Sequence, residues 1–350
     1  MGGDVLTRAI DAVAGGRDLS ADEAAEVLAV IMAGDATEPQ IAGFLVGLRA
    51  KGETVDEVAG LARTMRELAA HVETGRDDLL DTAGTGGGTT TFNVSTTAAL
   101  IAAGAGCAVA KHGNRSATSL SGSADVLEAL GARIDLGPED VAACIREVGF
   151  GFMFAPAHHQ AMRFVVPVRK ALAVRTVFNF LGPLTNPAGA TRQLIGVSDP
   201  AVLEVVAGAL GRLGVDRALV VCGEGGLDEM STAGRTQVVE VTGGGDGEAT
   251  IERYGVEPAD VGLPTGATEA LAGGTPAENA QVTRRILAGD AGPPRDVAVL
   301  NAGAAIYAGG RAETLEAGVR AAEAAIDDGR AEAALAAFVE RTLAAERTPS

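Results

Sequence analysis

From about Asp77 to Cys222 the chain alternates short apolar runs with glycines and helical patterns. Six runs fit buried strands, namely Leu79–Thr82, Cys107–Lys111, Ala132–Asp135, Gly151–Ala155, Leu194–Val197 and Ala218–Cys222. Helical patterns that end near a glycine lie between them, over Ser123–Leu130, Pro138–Glu147 and Asp199–Leu213. Strands that alternate with helices form parallel sheets, because each crossover helix covers a face of the sheet. We therefore predict an α/β fold with a largely parallel central sheet flanked by helices.

The first 70 residues predict helices only. Ser20, Thr37 and Thr54 are each followed three residues later by Glu or Gln, which is the spacing of a capping box, and apolar residues at helical spacing come next. The stretch from Met162 to about Pro187 interrupts the sheet pattern, and we expect it to pack beside the N-terminal helices and form a hinge. The predicted units are a helical domain, residues 1–72 plus about 162–190, and an α/β domain, residues 73–161 plus 191–350. The tail from Pro276 is predicted helical, and residues 243–247 are predicted to form an exposed turn.

Charge is unevenly distributed along the chain. The sequence has 28 basic and 46 acidic residues, a net charge of −18, which argues against duplex nucleic acid or an anionic membrane as the main partner. No Asp or Glu lies between Asp81 and Asp125, or between Glu147 and Asp199. The two acid-free stretches contain His112, His158, His159, Lys111, Lys170, Arg115, Arg163, Arg169, Arg175 and Arg192. A cationic cleft in an acidic protein predicts a small phosphorylated or carboxylated ligand.

Hydropathy and cysteine content bear on location. The longest apolar run, Ala98–Ala110, is shorter than the roughly 20 residues of a membrane-spanning helix, and the N-terminus lacks the pattern of a signal peptide. The three cysteines, Cys107, Cys144 and Cys222, are widely spaced, which favours free thiols in a reducing compartment. We therefore expect a cytoplasmic protein.

A glycine-rich segment, residues 81–96, lies between a predicted strand and a helical run. Glycines let backbone N–H groups approach a phosphate, and Asn93, Ser95 and Thr96 add donors at the start of the helix. The segment matches neither the Walker loop nor the dinucleotide-binding pattern. It predicts a phosphate-binding loop of another kind.

A second polar segment, Lys111–Ser123, follows the next predicted strand. Lys111 and Arg115 supply cationic donors, and the serines add hydroxyl groups. Segments of this composition are also common in plain loops. If the two strands are neighbours, both segments could bind one polyanion.

Two adjacent carboxylates, Asp228 and Glu229, come shortly after the strand predicted to end at Cys222. Such a pair can hold Mg²⁺, which would let it face a pyrophosphate, although acidic pairs are more often merely solvated. His158 and His159 lack the further ligands of a zinc site, and no serine lies in the Gly-x-Ser-x-Gly pattern of a hydrolase.

Together these segments resemble the anthranilate phosphoribosyltransferase family along nearly the whole chain. Ile31–Gln40 and Gly43–Thr54 are similar to the helical domain of that family and of the pyrimidine nucleoside phosphorylases. The segments similar to those specific to the transferases are Lys111–Arg115, Ser119–Gly131, Arg175–Pro187 and Gly226–Glu229. The resemblance implies a helical dimerisation domain hinged to an α/β domain, a homodimer, and two substrates, phosphoribosyl pyrophosphate (PRPP) and anthranilate, that meet between the domains.

The resemblance also implies site residues. PRPP would bind Gly84, Gly86, Gly87, Gly88, Thr91, Asn93, Val94, Ser95 and Thr96 in the first segment, and Lys111, His112, Gly113, Asn114, Arg115, Ser116, Ser119 and Ser123 in the second. Mg²⁺ would bind Ser95, Asp228 and Glu229, and anthranilate would contact Gly84, Asn114 and Arg169, with Arg169 pairing to its carboxylate. One departure is Gly88, which stands where the family usually has Asp in a loop one residue longer. A carboxylate near the PRPP and the metal is therefore missing.

The implied activity transfers the phosphoribosyl group of PRPP to the amine of anthranilate and releases pyrophosphate, with Mg²⁺, in tryptophan biosynthesis. An aromatic amine is neutral at pH 7 and carries a free lone pair, so no catalytic base is expected. One alternative is a transferase of the same fold for another aromatic acid, for which the altered loop is a motive. A pyrimidine nucleoside phosphorylase fits residues 111–114 and 226–229 poorly, and the acidic charge disfavours a non-catalytic relative that binds nucleic acid.

Overall fold

The structure is a computed structural model that describes residues 2–88, 90–116, 120–243 and 248–345 of the 350-residue chain. Its centre is a sheet of seven strands in the order β3-β2-β1-β4-β5-β6-β7. The strands are β1 (Leu79–Gly84), β2 (Ala108–Gly113), β3 (Phe150–Phe154), β4 (Arg192–Gly196), β5 (Arg217–Cys222), β6 (Thr236–Thr242) and β7 (Thr250–Val256). The first five strands pair in parallel, and β6 and β7 add an antiparallel edge. The predicted α/β class and largely parallel sheet are confirmed.

Fifteen α-helices lie within the described residues. They are α1 (Gly2–Ala14), α2 (Ala21–Ala33), α3 (Glu38–Lys51), α4 (Val55–Glu67), α5 (Val94–Gly104), α6 (Ser123–Ala129), α7 (Pro138–Val148), α8 (Ala155–His158), α9 (Val166–Leu172), α10 (Phe178–Leu181), α11 (Leu203–Arg212), α12 (Pro276–Leu287), α13 (Pro293–Ala308), α14 (Leu315–Asp327) and α15 (Arg330–Ala344). Short 3-10 helices cover Gln160–Phe164, Gly182–Leu184, Pro200–Val202, Pro258–Val261 and Thr268–Leu271. None of the described helices is both long and apolar enough to span a lipid bilayer.

The strand order places a topological switch point at β1. From β1 the chain continues to β2 and β3 on one side, and later returns to β4 on the other side. In open α/β sheets, ligands bind beyond the carboxyl ends of the strands at such a point, because the connecting loops there diverge and leave a crevice. The glycine-rich segment that follows β1 lies at this crevice.

The N-terminal helices begin where the sequence predicts. Ser20 and Thr54 each form the reciprocal capping bonds with the Glu three residues later, and Gln40 Oε1 accepts the backbone N–H of Thr37 at 3.0 Å. Each of the helices α1 to α4 buries apolar side chains in one shared cluster. Examples, one from each helix, are Leu6, Leu28, Phe44 and Leu61. The helical N-terminal domain is confirmed.

Residues 162–187 form short helices, and several of their apolar side chains pack against the N-terminal helices. Val165, Val168, Phe178 and Leu181 are buried in the cluster that contains the cores of α1 to α4. The same cluster continues into α11 and one face of β4, β5 and β6. The domain boundaries and the hinge stay a prediction.

The predicted strand Ala132–Asp135 is wrong, because this segment pairs with none of the strands in the described part of the chain. Its alternation is real, since Ala132 and Ile134 are buried and Asp135 is exposed. The segment packs against the C-terminal helix instead, where the backbone N–H of Arg133 donates to Thr342 Oγ1 at 3.1 Å.

The sequence analysis also missed β6 and β7. Of the turn predicted between them, Gly243 is exposed and Gly244–Gly247 lie outside the described residues.

Candidate active site

The glycine-rich loop after β1 is hydrogen-bonded to the end of β4 and to the connection between β5 and β6. The backbone N–H of Thr85 donates to Gly196 O at 2.9 Å, and the N–H of Gly86 donates to Asp228 Oδ2 at 2.7 Å. Gly84 allows this approach, because a Cβ there would lie 2.6 Å from Asp228 Oδ2. Gly86 and Gly87 both have positive φ angles, of 66° and 84°, which glycine adopts without strain.

Gly88 lies against a different segment. A Cβ on Gly88 would come within 2.4 Å of Gly226 O, so this backbone position has no space for a side chain. The missing carboxylate noted at this position in the sequence therefore coincides with close backbone packing in the structure.

Residues from β1, β2 and the β5–β6 connection meet at the start of α5. The backbone N–H of Ser95 donates to Glu229 Oε1 at 3.1 Å, and Lys111 Nζ, from β2, lies 3.4 Å from Ser95 Oγ. Lys111 Nζ also donates to the backbone oxygen of Thr82, in β1, at 2.5 Å. The sequence prediction that residues 81–96, residues 111–123 and the acidic pair converge agrees with these contacts. The assignment of these residues to particular ligands stays a prediction.

The buried charges at this point perturb one another. Burial raises the pKa of Glu229 to about 8, with a further contribution from the neighbouring Asp228 carboxylate. Burial likewise raises the pKa of Asp228 and lowers the pKa of Lys111. Lys111 forms no salt bridge with any carboxylate in the part of the chain that the structure describes. The centre therefore contains the buried ammonium group of Lys111, the buried carboxyl groups of Glu229 and Asp81, and the half-buried carboxyl group of Asp228. Among the described residues, Lys111 forms a direct ion pair with none of these carboxyl groups.

The donor set around Ser95 fits a hard divalent cation. Asp228 and Glu229 supply carboxylate oxygens and Ser95 supplies a hydroxyl oxygen, which are the ligand types that Mg²⁺ takes. Burial, with a contribution from Asp228, raises the pKa of Glu229, so a bound cation would stabilise the ionised form of this carboxyl group. Mg²⁺ commonly binds through one or two carboxylates and completes its shell with water and phosphate oxygens. The residues present therefore suit Mg²⁺.

Asn93 connects the first polar segment to the second. Its Nδ2 donates to Ser121 O at 3.1 Å, and its Oδ1 accepts from Ser121 Oγ at 3.0 Å and from Asn279 Nδ2 at 2.9 Å. Thr91 pairs by its backbone with Ala272, and Val94 is buried as the first residue of α5. These positions stabilise the entry to α5.

Thr96 differs from its neighbours because its hydroxyl group is unsatisfied. The side chain is buried at the first turn of α5, and among the described residues Oγ1 has no hydrogen-bond partner. Buried hydroxyl groups without partners are rare, so this atom is a candidate ligand contact.

The second polar segment folds back on the start of α6. Ser123 Oγ lies 3.2 Å from both the backbone N and O of Asn114, and a Cβ on Gly113 would come within 2.2 Å of that hydroxyl. The backbone N–H of Ser116 donates to Asp125 Oδ2 at 3.2 Å. Ser119, predicted as a PRPP ligand, lies outside the described residues.

Arg115 is turned toward acidic side chains of α6. Its guanidinium lies 2.7 Å from Asp125 Oδ1 and 2.6 Å from Glu128 Oε2, and about half of the side chain is exposed. These two carboxylates neutralise the positive charge of Arg115, which the sequence analysis expected to bind a phosphate. The predicted PRPP contact of Arg115 would require these ion pairs to be exchanged.

His112 and Arg169 both lie next to the segment of residues 178–182. His112 Nδ1 is 3.3 Å from Gly182 O, its ring centroid is 5.1 Å from that of His159, and burial lowers the pKa of His112 to about 3. The guanidinium of Arg169 is 5.7 Å from the centre of the Phe178 ring, and burial lowers the pKa of Arg169. Within the described ranges this guanidinium has neither an acidic partner nor a hydrogen-bond acceptor, so its donors are available to a ligand.

The sequence analysis assigned no role in this site to five residues that shape it. Thr82 accepts from Lys111, and Asn186 Nδ2 donates to the buried Asp81 carboxylate at 2.7 Å. Arg175 and Ser198 contact the carbonyl oxygen of Gly86. Asp81, Arg175 and Asn186 lie in segments that the sequence analysis had singled out, but their contacts cross more than 80 residues and leave no local pattern.

Comparisons with known proteins agree with this architecture. Residues 7–69 match the model "Glycosyl transferase family, helical bundle domain", and residues 76–332 match "Glycosyl transferase family, a/b domain". The anthranilate phosphoribosyltransferase of Symbiobacterium thermophilum is 52% identical over 331 residues, which cover 94% of this chain and 96% of that protein.

Solved structures show the same similarity. The anthranilate phosphoribosyltransferase of Thermus thermophilus superposes with a TM-score of 0.90 at 47% identity, covering 96% of this chain and 99% of that chain. The Saccharomyces cerevisiae enzyme in complex with PRPP and Mg gives a TM-score of 0.87 at 27% identity, with coverage of 97% and 98%. Its complex with 4-fluoroanthranilate gives a TM-score of 0.87 at 25% identity, covering 99% of both chains.

Proposed function

The chain belongs to the anthranilate phosphoribosyltransferase family, and we propose that the crevice beyond β1, β2 and β4 is where it joins the phosphoribosyl group of PRPP to the amine of anthranilate. The products are N-(5′-phosphoribosyl)anthranilate and pyrophosphate. Relatives that cover nearly the whole chain carry the name of this activity. The activity belongs to tryptophan biosynthesis.

The observation that carries the assignment of the crevice is the environment of Lys111. Its ammonium group is buried between β1 and the start of α5 and has no salt bridge among the described residues. A buried ammonium group without a direct ion pair is costly, and a phosphate or pyrophosphate would supply negative charge in direct contact with it. The unpaired hydroxyl of Thr96 and the glycine-rich backbone offer further donors nearby.

Binding of PRPP would involve most of the residues that the sequence analysis proposed. Gly84, Gly86, Gly87 and Gly88 supply a backbone without side chains, and Ser95, Thr96 and Lys111 supply polar groups. Asn93, Gly113 and Ser123 fix the two segments relative to each other. Arg115 and Ser116 would contribute only after the loop moves away from Asp125.

Mg²⁺ would be held by Asp228, Glu229 and the hydroxyl of Ser95. When bound, it neutralises charge on the pyrophosphate leaving group. Asp228 already accepts a hydrogen bond from Gly86, so the position of this carboxylate is linked to the position of the loop. With the cation bound, the half-buried Asp228 and the buried Glu229 would face a polyanion without net repulsion.

Arg169 is proposed to bind the carboxylate of anthranilate. Its planar guanidinium can donate two parallel hydrogen bonds to a carboxylate, and it lies over the Phe178 ring with no competing acid among the described residues. Gly84 and Asn114, the other proposed contacts, lie at the ends of β1 and β2. The acceptor would then approach the sugar from the side of the helical domain.

The chemistry needs no strong base on the protein. The amine of anthranilate is neutral near pH 7 and attacks C1 of the ribose as the bond to pyrophosphate breaks, through a transition state with oxocarbenium character. The nitrogen then loses one proton to solvent or to the released pyrophosphate. The chain's residues hold the two substrates in line, stabilise the leaving group and exclude the water that would hydrolyse PRPP. Orientation and electrostatics account for the rate enhancement.

We also propose a cytoplasmic homodimer that contacts through the helical domain. Val46 of α3 and Val166 at the start of α9 are about half exposed, and these two helices pack against each other. Cys107, Cys144 and Cys222 are free and buried, which suits a reducing compartment. Light scattering of the protein and of Val46→Glu tests the dimer, since a charge at the interface would shift the mass toward that of a monomer.

The activity is tested by measuring pyrophosphate release from PRPP with Mg²⁺. Anthranilate is compared with 3-aminobenzoate, 4-aminobenzoate and no acceptor. The proposal requires release that depends on anthranilate together with formation of the phosphoribosyl conjugate. A preference for another aminobenzoate would instead identify a transferase of the same fold with a different acceptor.

A further inference from the structure

Arg175 reaches from the segment between α9 and α10 to the glycine-rich loop after β1. Its Nη1 lies 3.4 Å from Gly86 O and 3.2 Å from Ser198 Oγ, and Ser198 Oγ donates to the same Gly86 oxygen at 2.9 Å. Two donors from distant parts of the chain therefore converge on one carbonyl oxygen of the loop.

The backbone of Arg175 is held by the N-terminal helices. Arg49, in the last turn of α3, donates from Nη1 to Arg175 O at 2.7 Å. The next apolar residues, Val177 and Phe178, are buried in the cluster formed by those helices. Arg175 thus connects the helical domain to the loop.

The contacts of Arg175 and Ser198 with Gly86 O determine the direction of the peptide group between Gly86 and Gly87. The N–H of Gly86 is bound to Asp228 Oδ2 at 2.7 Å, and its carbonyl group is bound to Arg175 and Ser198. No described peptide bond is cis, and in a trans peptide the carbonyl of Gly86 and the N–H of Gly87 point in opposite directions. The Gly87 N–H is therefore directed away from Arg175, and no described residue accepts it.

Gly87 itself is matched to the arginine. Its φ angle is +84°, and a Cβ at this position would lie 2.1 Å from Arg175 Nη1. The guanidinium occupies the space that any side chain at residue 87 would need. The loop conformation and the position of Arg175 are consequently interdependent.

We propose that Arg175 is a positioning residue that orients the peptide between Gly86 and Gly87, so that the Gly87 N–H donates to PRPP. This inference rests on the proposed function of the loop. Arg175 acts through the carbonyl of Gly86, and its role is specific to the phosphorylated substrate. The anthranilate side of the site does not depend on it.

The test compares steady-state kinetics of Arg175→Ala, Arg175→Lys and Ser198→Ala with the unaltered protein. Arg175→Ala is expected to raise KM for PRPP about tenfold and to change KM for anthranilate by less than about twofold. Arg175→Lys should raise KM for PRPP less than Arg175→Ala does, because a lysine can still donate to Gly86 O or to Ser198 Oγ. Ser198→Ala should raise KM for PRPP by a smaller factor.

The double variant separates positioning from direct contact. If both side chains act through Gly86 O, Arg175→Ala with Ser198→Ala should be less damaging than the product of the two single effects. An unchanged KM for PRPP in Arg175→Ala, an equal rise in both KM values, or a Ser198→Ala protein identical to the unaltered one would each overturn the inference. Arg8→Ala, which removes an exposed arginine paired with Asp4, is the matched control and should change nothing.

Calorimetric titration of PRPP distinguishes this inference from the proposed function. If the unaltered protein binds PRPP but transfers it to none of the aminobenzoates, the proposed activity fails. The inference about Arg175 then still stands or falls on whether Arg175→Ala weakens PRPP binding about tenfold. If the unaltered protein does not bind PRPP, both are overturned. Thermal melting of each variant checks that the fold is retained.

Discussion

Lys111 and Glu229 contact opposite ends of one residue, Ser95. The hydroxyl of Ser95 lies 3.4 Å from Lys111 Nζ, and its backbone N–H donates to Glu229 Oε1 at 3.1 Å. Both titratable side chains are buried, yet no direct salt bridge between them is present in the described part of the chain. The arrangement holds a buried amine and a buried carboxyl group close together without a direct ion pair. Lys111 is therefore available to an anion, and Glu229 is available to a cation that displaces its proton.

Removal of the acidic pair should abolish metal-dependent turnover. Asp228→Asn with Glu229→Gln keeps the size of both side chains but removes their charge. We expect kcat to fall at least about a hundredfold and the Mg²⁺ dependence to be lost, because the charge of the leaving group is no longer compensated. Pyrophosphate release is measured across a Mg²⁺ titration. An unaltered metal response would reject the role of both residues.

Truncation of Arg169 should weaken the binding of anthranilate selectively. Arg169→Ala removes a bidentate partner of the carboxylate, so KM for anthranilate should rise about 10- to 100-fold while KM for PRPP stays within about twofold. Arg163→Ala is the matched control, since Arg163 also stacks on a phenyl ring, that of Phe164 at 4.8 Å. Equal effects of the two variants would remove Arg169 from the site.

Acid should destabilise the fold partly through His159. Burial lowers the pKa of His159 to about 4, below the ordinary value near 6.5, so between these values the unfolded chain binds a proton that the folded chain does not. The free energy of unfolding therefore falls as the pH drops from about 6.5 to about 4, with His159 contributing about 2 kcal/mol by pH 5. Asp81, whose pKa burial raises to about 6, acts in the opposite direction.

His159→Gln tests this contribution, because the amide can still donate to Thr185 O, which lies 3.1 Å from His159 Nε2. Urea unfolding at pH 7 and pH 5 should give a smaller difference for the variant than for the unaltered protein. His71→Gln, at an exposed position, is the control and should leave the difference unchanged. The same pH difference in His159→Gln as in the unaltered protein would contradict the prediction.

Helix crossing in the N-terminal domain should depend on Gly60. A Cβ at Gly60, in α4, would lie 2.0 Å from Ala21 O at the start of α2, so Gly60→Ala must push the two helices apart. We expect it to lower the free energy of unfolding by about 1–3 kcal/mol, although alanine favours helix. Gly43→Ala in α3 meets only Ile10, at 3.7 Å, and should be neutral or stabilising. Denaturant unfolding of both variants decides the matter, and equal stability would show that the crossing adapts freely.

The elements that the sequence determined are those encoded within a few residues. The capping boxes at Ser20 and Thr54 and the strand patterns before Gly84 and Gly113 predicted where those elements lie, because capping bonds and side-chain alternation are local. The same reasoning failed for Ala132–Asp135, which alternates like a strand. A strand needs a neighbour, and no local pattern specifies that the C-terminal helix would take that place.

For the candidate site too, some features could be predicted from the sequence and others depend on the tertiary structure. The glycine-rich loop, Lys111 and the acidic pair are recognisable in the sequence, since their residue types suit phosphate and metal ions. Only the tertiary structure decided that Asp228 binds the N–H of Gly86, 142 residues away, and that Arg115 faces α6. Strand order and the packing of the helical domain bring such groups together, and both depend on contacts summed over the whole fold.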